Sequence, residues 1–363
     1  MARPCCRAGS HATGLAIVVL FPALLCAQPQ TPARFSVDSA VQVDEMQGQS
    51  TVDRPNIVID VTASMRLGPG WTLYVRPWFR QPRNSSWDRQ IYQAAVQYER
   101  SGRVSTRVDA GYIVSPIGIG MMDTRPGVNP TILPHLSYVT AMPAFDPGAP
   151  RVQPIASTYP LGAQVTASTL KWDMRGAVLS APTNRVYVLN ATTPNPEARP
   201  FYVAGGGVTP LVGLRLGMSY GAGDYVTRDE LAVPSRDGRQ LRMVSFEGDY
   251  AFGYSRFTGE FTRDRLETAR STETAYAWFI QGAQTLAPRW FVAGRQEGTS
   301  APPLETAASA GQRTMFHVTE ATLGYRLTPE LAVRGSFITR KAFTRSDWDQ
   351  QAGVSLVWAR RWY

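Results

Sequence analysis

The chain has 363 residues, a formal charge of +9 and only 18% charged residues. With 44% hydrophobic and 10% aromatic residues it is no disordered polymer. Its basic residues are almost all Arg, since Lys171 and Lys341 are the only lysines, and they are scattered singly rather than clustered, which argues against a nucleic-acid partner.

The first 27 residues read as an export leader. Arg3 and Arg7 give a basic start, Leu15 to Leu25 an apolar core, and Cys26-Ala27 precedes the polar Gln28-Pro29-Gln30. Cleavage after Ala27 would leave 28–363 and lower the charge from +9 to +7. A membrane anchor is one alternative, but the apolar run is well short of the ~20 residues a spanning helix needs. A lipoprotein modified at Cys26 is the other; Leu25 is a bulky residue to precede a lipidated Cys. Cys5, Cys6 and Cys26 all lie in this leader, so the remainder holds neither disulfide nor thiolate metal site.

Beyond the leader, helical periodicity is almost absent and period-two alternation recurs. Sixteen strands are expected at 33–43, 55–67, 71–80, 89–100, 103–114, 159–169, 170–180, 200–209, 211–222, 240–252, 253–265, 272–286, 289–298, 313–327, 330–341 and 349–362. Short links such as Gly68-Pro69-Gly70, Ser101-Gly102, Thr209-Pro210 and Thr328-Pro329 alternate with long ones at 44–54, 81–88, 115–158, 181–199, 223–239, 266–271, 299–312 and 342–348. A soluble sandwich has no reason to keep that rhythm, whereas a membrane barrel carries short turns on one rim and long loops on the other.

The two faces of each strand agree with a barrel. In 170–179, Leu170, Trp172, Met174 and Val178 oppose Lys171, Asp173 and Arg175. Arg76 and Arg80 oppose Trp71, Leu73, Val75 and Phe79; Arg107 and Asp109 oppose Val108 and Tyr112; Arg334 opposes Val333 and Phe337. Arginine against lipid costs ~2–4 kcal/mol at mid-depth, so the charged faces belong to a wet interior and the apolar faces to hydrocarbon. Closure removes the unpaired edges that hydrocarbon forbids. Trp71, Tyr112, Trp290, Tyr325 and Trp362 fall near strand ends, where aromatic girdles sit. The expected fold is all-β: a transmembrane antiparallel up-and-down barrel of about sixteen strands.

With its leader, alternating link lengths, cysteine-free body and aromatic C-terminus, the chain resembles the general bacterial outer-membrane porins, including their phosphate-selective branch. The chain closes on VSLVWARRWY, where Arg360 and Arg361 interrupt the terminal alternation that family shows. The resemblance implies an outer-membrane location among lipid and lipopolysaccharide, a homotrimer, and one long loop folded inward to narrow a diffusion channel. The longest loop, 115–158, fits that role. Its prolines, among them Pro116, Pro126, Pro130, Pro134, Pro143 and Pro150, forbid a ladder, and Ile117, Ile132, Leu133, Tyr138, Met142 and Phe145 disfavour free solvation.

Asp123 and Asp146 are then candidates for one side of a constriction, facing Arg76, Arg80, Arg107, Lys171, Arg175 and Arg215. The expected activity is passive passage of small hydrophilic solutes with mild anion preference. No catalytic group, cofactor or metal is expected. Gly217-Met218-Ser219-Tyr220-Gly221 matches the G-x-S-x-G nucleophile pattern but lies within an alternating strand, without the strand-to-helix turn that motif needs. After the leader only His135 and His317 remain, too far apart in sequence to suggest a metal site. Gly205-Gly206-Gly207 reads as a bend at a barrel corner. A phospholipase-like barrel enzyme and a non-conducting structural or adhesion barrel are the alternatives.

Overall fold

Alternation over eight to fourteen residues commits a segment to a two-faced strand, and sixteen such strands form here. The computed structural model describes residues 35–48, 56–82, 86–119, 125–146, 148–155, 159–184, 200–231, 238–303, 313–343 and 345–362. The leader at 1–27 and Asp123 lie outside them. In chain order the strands are β1 (Phe35–Gly48), β2 (Asn56–Gly68), β3 (Trp71–Gln81), β4 (Asp88–Arg100), β5 (Ser105–Tyr112), β6 (Leu161–Ser168), β7 (Trp172–Leu179) and β8 (Phe201–Leu211). They continue as β9 (Leu214–Val226), β10 (Arg239–Phe252), β11 (Ser255–Glu267), β12 (Thr272–Thr285), β13 (Trp290–Ser300), β14 (Met315–Arg326), β15 (Leu331–Lys341) and β16 (Asp349–Arg361). Each pairs with its chain neighbours and β1 pairs antiparallel with β16, so the sheet closes into a barrel without an edge.

The polarity of the wall is inverted relative to a water-soluble protein. On β11, Thr258, Glu260, Thr262 and Asp264 are buried inside while Phe257 and Phe261 are exposed outside. On β7, Met174 and Val178 are exposed and Ala177 and Leu179 buried, as the alternation requires. The strand begins at Trp172 rather than 170, because Thr169 closes a turn over Leu170 and Lys171: its backbone N–H donates to the Trp172 carbonyl at 2.8 Å.

Pro77 lies within β3 at a register shift, where the partner strand carries an extra residue, Tyr92. A bulge tolerates the missing proline N–H. Because the extra residue is on β4, the faces of β3 persist through it. The C-terminal arginines do not break the closing strand. β16 stays in register to Arg361, whose Nε lies 2.7 Å from Asp38 Oδ1 on β1. Trp362 Nε1 donates to Ser39 Oγ at 2.7 Å, and the Arg360 guanidinium lies 4.7 Å from the Trp362 ring.

The described residues of the segment between β5 and β6 pack inside the barrel. Ile117, Tyr138, Met142, Val152 and Ile155 are all fully buried against Leu179, Phe201, Leu241, Met243 and Phe279 of the wall's inner face. Within it lies the short helix α1 (Leu136–Val139). The expected inward fold of the long loop is therefore present.

Candidate functional site: the barrel interior

A proline-rich segment has few backbone partners of its own, so its N–H and C=O groups must be met by the wall. Three inward carboxylates accept them. Glu297 on β13 accepts from the backbone N–H groups of Leu136 and Ser137 at 3.0 and 3.1 Å, and from Ser137 Oγ at 2.9 Å. Glu320 on β14 accepts from Ile132 N at 2.7 Å. Glu260 on β11 accepts from Ile119 N at 2.9 Å and from the Tyr138 hydroxyl. Two arginines take the carbonyls. Arg295 donates to Leu133 O and Pro134 O at 3.0 and 3.1 Å, and to Glu320 at 3.0 Å. Arg334 donates to Asn129 O and Thr131 O at 2.6 and 2.7 Å. These groups are nearly inaccessible to water, where charge-assisted hydrogen bonds are strongest.

A second polar array is less enclosed. Arg215 on β9 makes a two-pronged contact with Asp173 on β7, at 2.7 and 2.8 Å, and reaches Glu247 on β10 at 3.3 Å. Arg175 donates to the same Glu247 oxygen at 2.6 Å and to Ser219 Oγ. The glycine run of β8 makes room for it. A Cβ on Gly207 would lie 2.8 Å from Arg215 Nη2, and one on Gly205 would lie 3.1 Å from Arg175 Nε. Pairing continues through Gly205, Gly206 and Gly207, and Gly205 and Gly207 leave room for the two guanidinium groups.

The interior distributes the residues singled out from the sequence widely. Arg76 is buried, held by Asp60 at 2.7 and 3.0 Å and by the Tyr159 hydroxyl at 2.9 Å. Arg125 from the inner segment shares Asp60 at 3.2 Å. Arg80 is exposed and donates to Asn56 Oδ1 at 3.2 Å. Arg107 pairs with Asp109 at 2.8 Å. Lys171 sits in the exposed turn before β7. Asp146 accepts from Arg239 at 3.0 Å and from Ala269 N at 3.2 Å, tying the inner segment to β10 and the link after β11. Among the described residues of the set, Arg175 and Arg215 are drawn together on one Glu247 oxygen. Arg334 was read as an inward residue but not as a site candidate, and Glu260, Glu297, Glu320 and Arg295 were not singled out, although charge on the inward face of a strand marked all five.

Ser219 of the G-x-S-x-G match is buried mid-strand and receives a hydrogen bond from Arg175. His135 sits directly before α1, fully buried, 4.2 Å from the Phe279 ring, with neither ring nitrogen hydrogen-bonded among the described residues. Burial pushes its imidazole well below the usual 6.5, and nearby Arg295 adds to the shift. A depressed histidine binds its proton more readily when unfolded. Its contribution to stability is thus complete above pH 6.5 and falls below it, by up to ~1.4 kcal/mol per pH unit. Urea midpoints measured from pH 7.5 to 5 will fall for the wild type and fall less for His135→Phe; equal slopes would contradict this assignment.

No family model matches this chain, and no curated protein sequence matches it either. Solved structures do match. OmpF of Salmonella typhi, in complex with daunomycin, has a TM-score of 0.59 at 10% identity, covering 90% of this chain and 97% of that one. A loop L8 deletion mutant of OmpT, an outer membrane protein of Vibrio cholerae, has a TM-score of 0.58 at 9% identity, covering 90% and 99%. The outer membrane channel DcaP of Acinetobacter baumannii has a TM-score of 0.55 at 9% identity, covering 90% and 96%. At these identities the likeness is one of fold.

Proposed function

We propose that this chain is an outer-membrane porin: a water-filled barrel, narrowed by the segment between β5 and β6, that passes small hydrophilic solutes by passive diffusion. One observation carries the reading. The outer face presents apolar side chains such as Met174, Met218, Phe246 and Phe261, while Arg175, Arg215, Asp173 and Glu247 face inward. That polarity suits hydrocarbon outside and water within. The shared barrel fold of OmpT, an outer membrane protein, and of the outer membrane channel DcaP supports it. In this reading the basic leader at 1–27 directs export.

Selectivity follows from the lumen charges. The formal charge of +7 left after the leader, with Arg3 and Arg7, is removed favours anions, but the arginines of the inner array are matched by carboxylates, which keeps the preference mild. Refolded protein in a planar bilayer will show stepwise conductance. In a KCl gradient its reversal potential will have the sign of chloride preference. Silence would refute the channel, and a cation-signed potential would refute the selectivity.

A further inference from the structure

Short turns on a soluble rim carry polar tips, because nothing else covers them. Three of the seven short turns here have polar tips. The β2–β3 link has Pro69-Gly70 at its tip, the β4–β5 link Ser101-Gly102-Arg103, and the β14–β15 link Thr328-Pro329-Glu330. Val104 and Leu327 beside two of these tips are 45% and 44% exposed, but the other four links, taken consecutively around the barrel, each carry a more exposed apolar residue. Leu170 between β6 and β7 is 70% exposed, Val212 between β8 and β9 96%, Tyr254 between β10 and β11 80%, and Leu286 between β12 and β13 60%. Four apolar tips side by side form an arc that water does not favour.

Two further observations say what covers the arc. The apolar outer wall reaches the β10–β11 turn: the Phe252 ring, nearest the turn, stacks on Tyr250 and on that residue's register partner Phe257, with ring centroids 5.0 and 6.1 Å apart, beside one polar pair, Ser255 and Gln284. Its two ends are bracketed by cations, with Lys171 next to Leu170 and Arg289, which donates to the Tyr325 hydroxyl at 3.4 Å, three residues after Leu286. Apolar tips continuous with a hydrocarbon-facing belt, flanked by aromatic rings and cations at phosphate depth, have the layout of a segment seated at a bilayer interface.

We infer that this arc docks into the membrane surface: the turns from β6–β7 to β12–β13 sit within the phospholipid leaflet, their tips among acyl chains and Lys171 and Arg289 at the phosphates. The turns at β2–β3 and β4–β5 stand in water. The barrel is then held at a tilt. The inference rests on the membrane reading above and adds to it a specific seat.

Depth-dependent fluorescence quenching tests it. Single cysteines are introduced by Val212→Cys, Tyr254→Cys, Gly102→Cys and, on the mid-wall, Met218→Cys, with Cys5, Cys6 and Cys26 replaced by serine. Each is labelled with a small fluorophore in phosphatidylglycerol–phosphatidylcholine vesicles. Labels at 212 and 254 will be quenched several-fold more by acyl-brominated lipid than by aqueous iodide, as at 218, with the reverse at 102. Labels at 212 and 254 that behave like the one at 102 would overturn the inference while leaving the membrane reading intact. Labels there that escape both quenchers would replace lipid by a second copy of the chain as the covering surface. A label at 218 open to iodide would defeat the membrane reading itself.

Discussion

Replacing Glu297 with Ala will detach the middle of the inner segment from the wall. Glu297 is fully buried and accepts three hydrogen bonds from Leu136 and Ser137. Its loss leaves two backbone N–H groups and a hydroxyl without their acceptor, and removes a negative charge 3.6 Å from the equally enclosed Arg295. Breaking a buried pair by deleting one partner costs about 3–5 kcal/mol, and that cost falls on the segment rather than on the ladder. The barrel will stay closed, since Glu297 contributes no side chain to strand pairing. Limited proteolysis will cut the variant between β5 and β6 where the wild type resists, and single-channel conductance will rise with added noise. Glu297→Gln, which retains an acceptor, will fall between the two. Wild-type proteolysis and conductance in Glu297→Ala would mean that the carboxylate does not hold the segment.

The second large effect lies on the other face of the wall. Phe246 is central in β10 and exposed, and its register partners Met218 and Phe261 are apolar and exposed too. Phe246→Arg places a guanidinium against hydrocarbon near mid-depth, where such a change costs about 2–4 kcal/mol. Urea titration of vesicle-inserted protein will show that loss, and the Phe246→Ala control will show much less. Equal stability of the Arg variant and the Ala control would mean that this face meets water.

The strands were legible because each carries its evidence locally. Trp172, Met174 and Val178 against Asp173 and Arg175 state a two-faced strand within eight residues, whatever lies elsewhere in the chain. The long inner segment was legible only as an apolar, proline-rich stretch that neither helix nor sheet could use. Its path was not, because its bonds are long-range. Ile132 finds Glu320 across 188 residues and Asn129 finds Arg334 across 205. No periodicity links such pairs. The same blindness governs the arginines. A face assignment places Arg76 on the inner side of β3, but only the closed sheet reveals that Asp60, on the neighbouring strand, already holds it. The room left by Gly205 and Gly207 was hidden for a related reason: the guanidinium groups that use it come from β7 and β9, not from their own strand.

The account stands on a barrel turned inside out, with charge within and hydrocarbon-compatible side chains without. The most direct measurement is the solution state of the refolded chain with and without detergent, followed by size-exclusion chromatography with light scattering. Detergent above its micellar concentration will give a single monodisperse species with bound detergent, and dilution below that concentration will precipitate the protein. A chain that stayed monodisperse in plain buffer, binding no detergent when it is offered, would contradict the account.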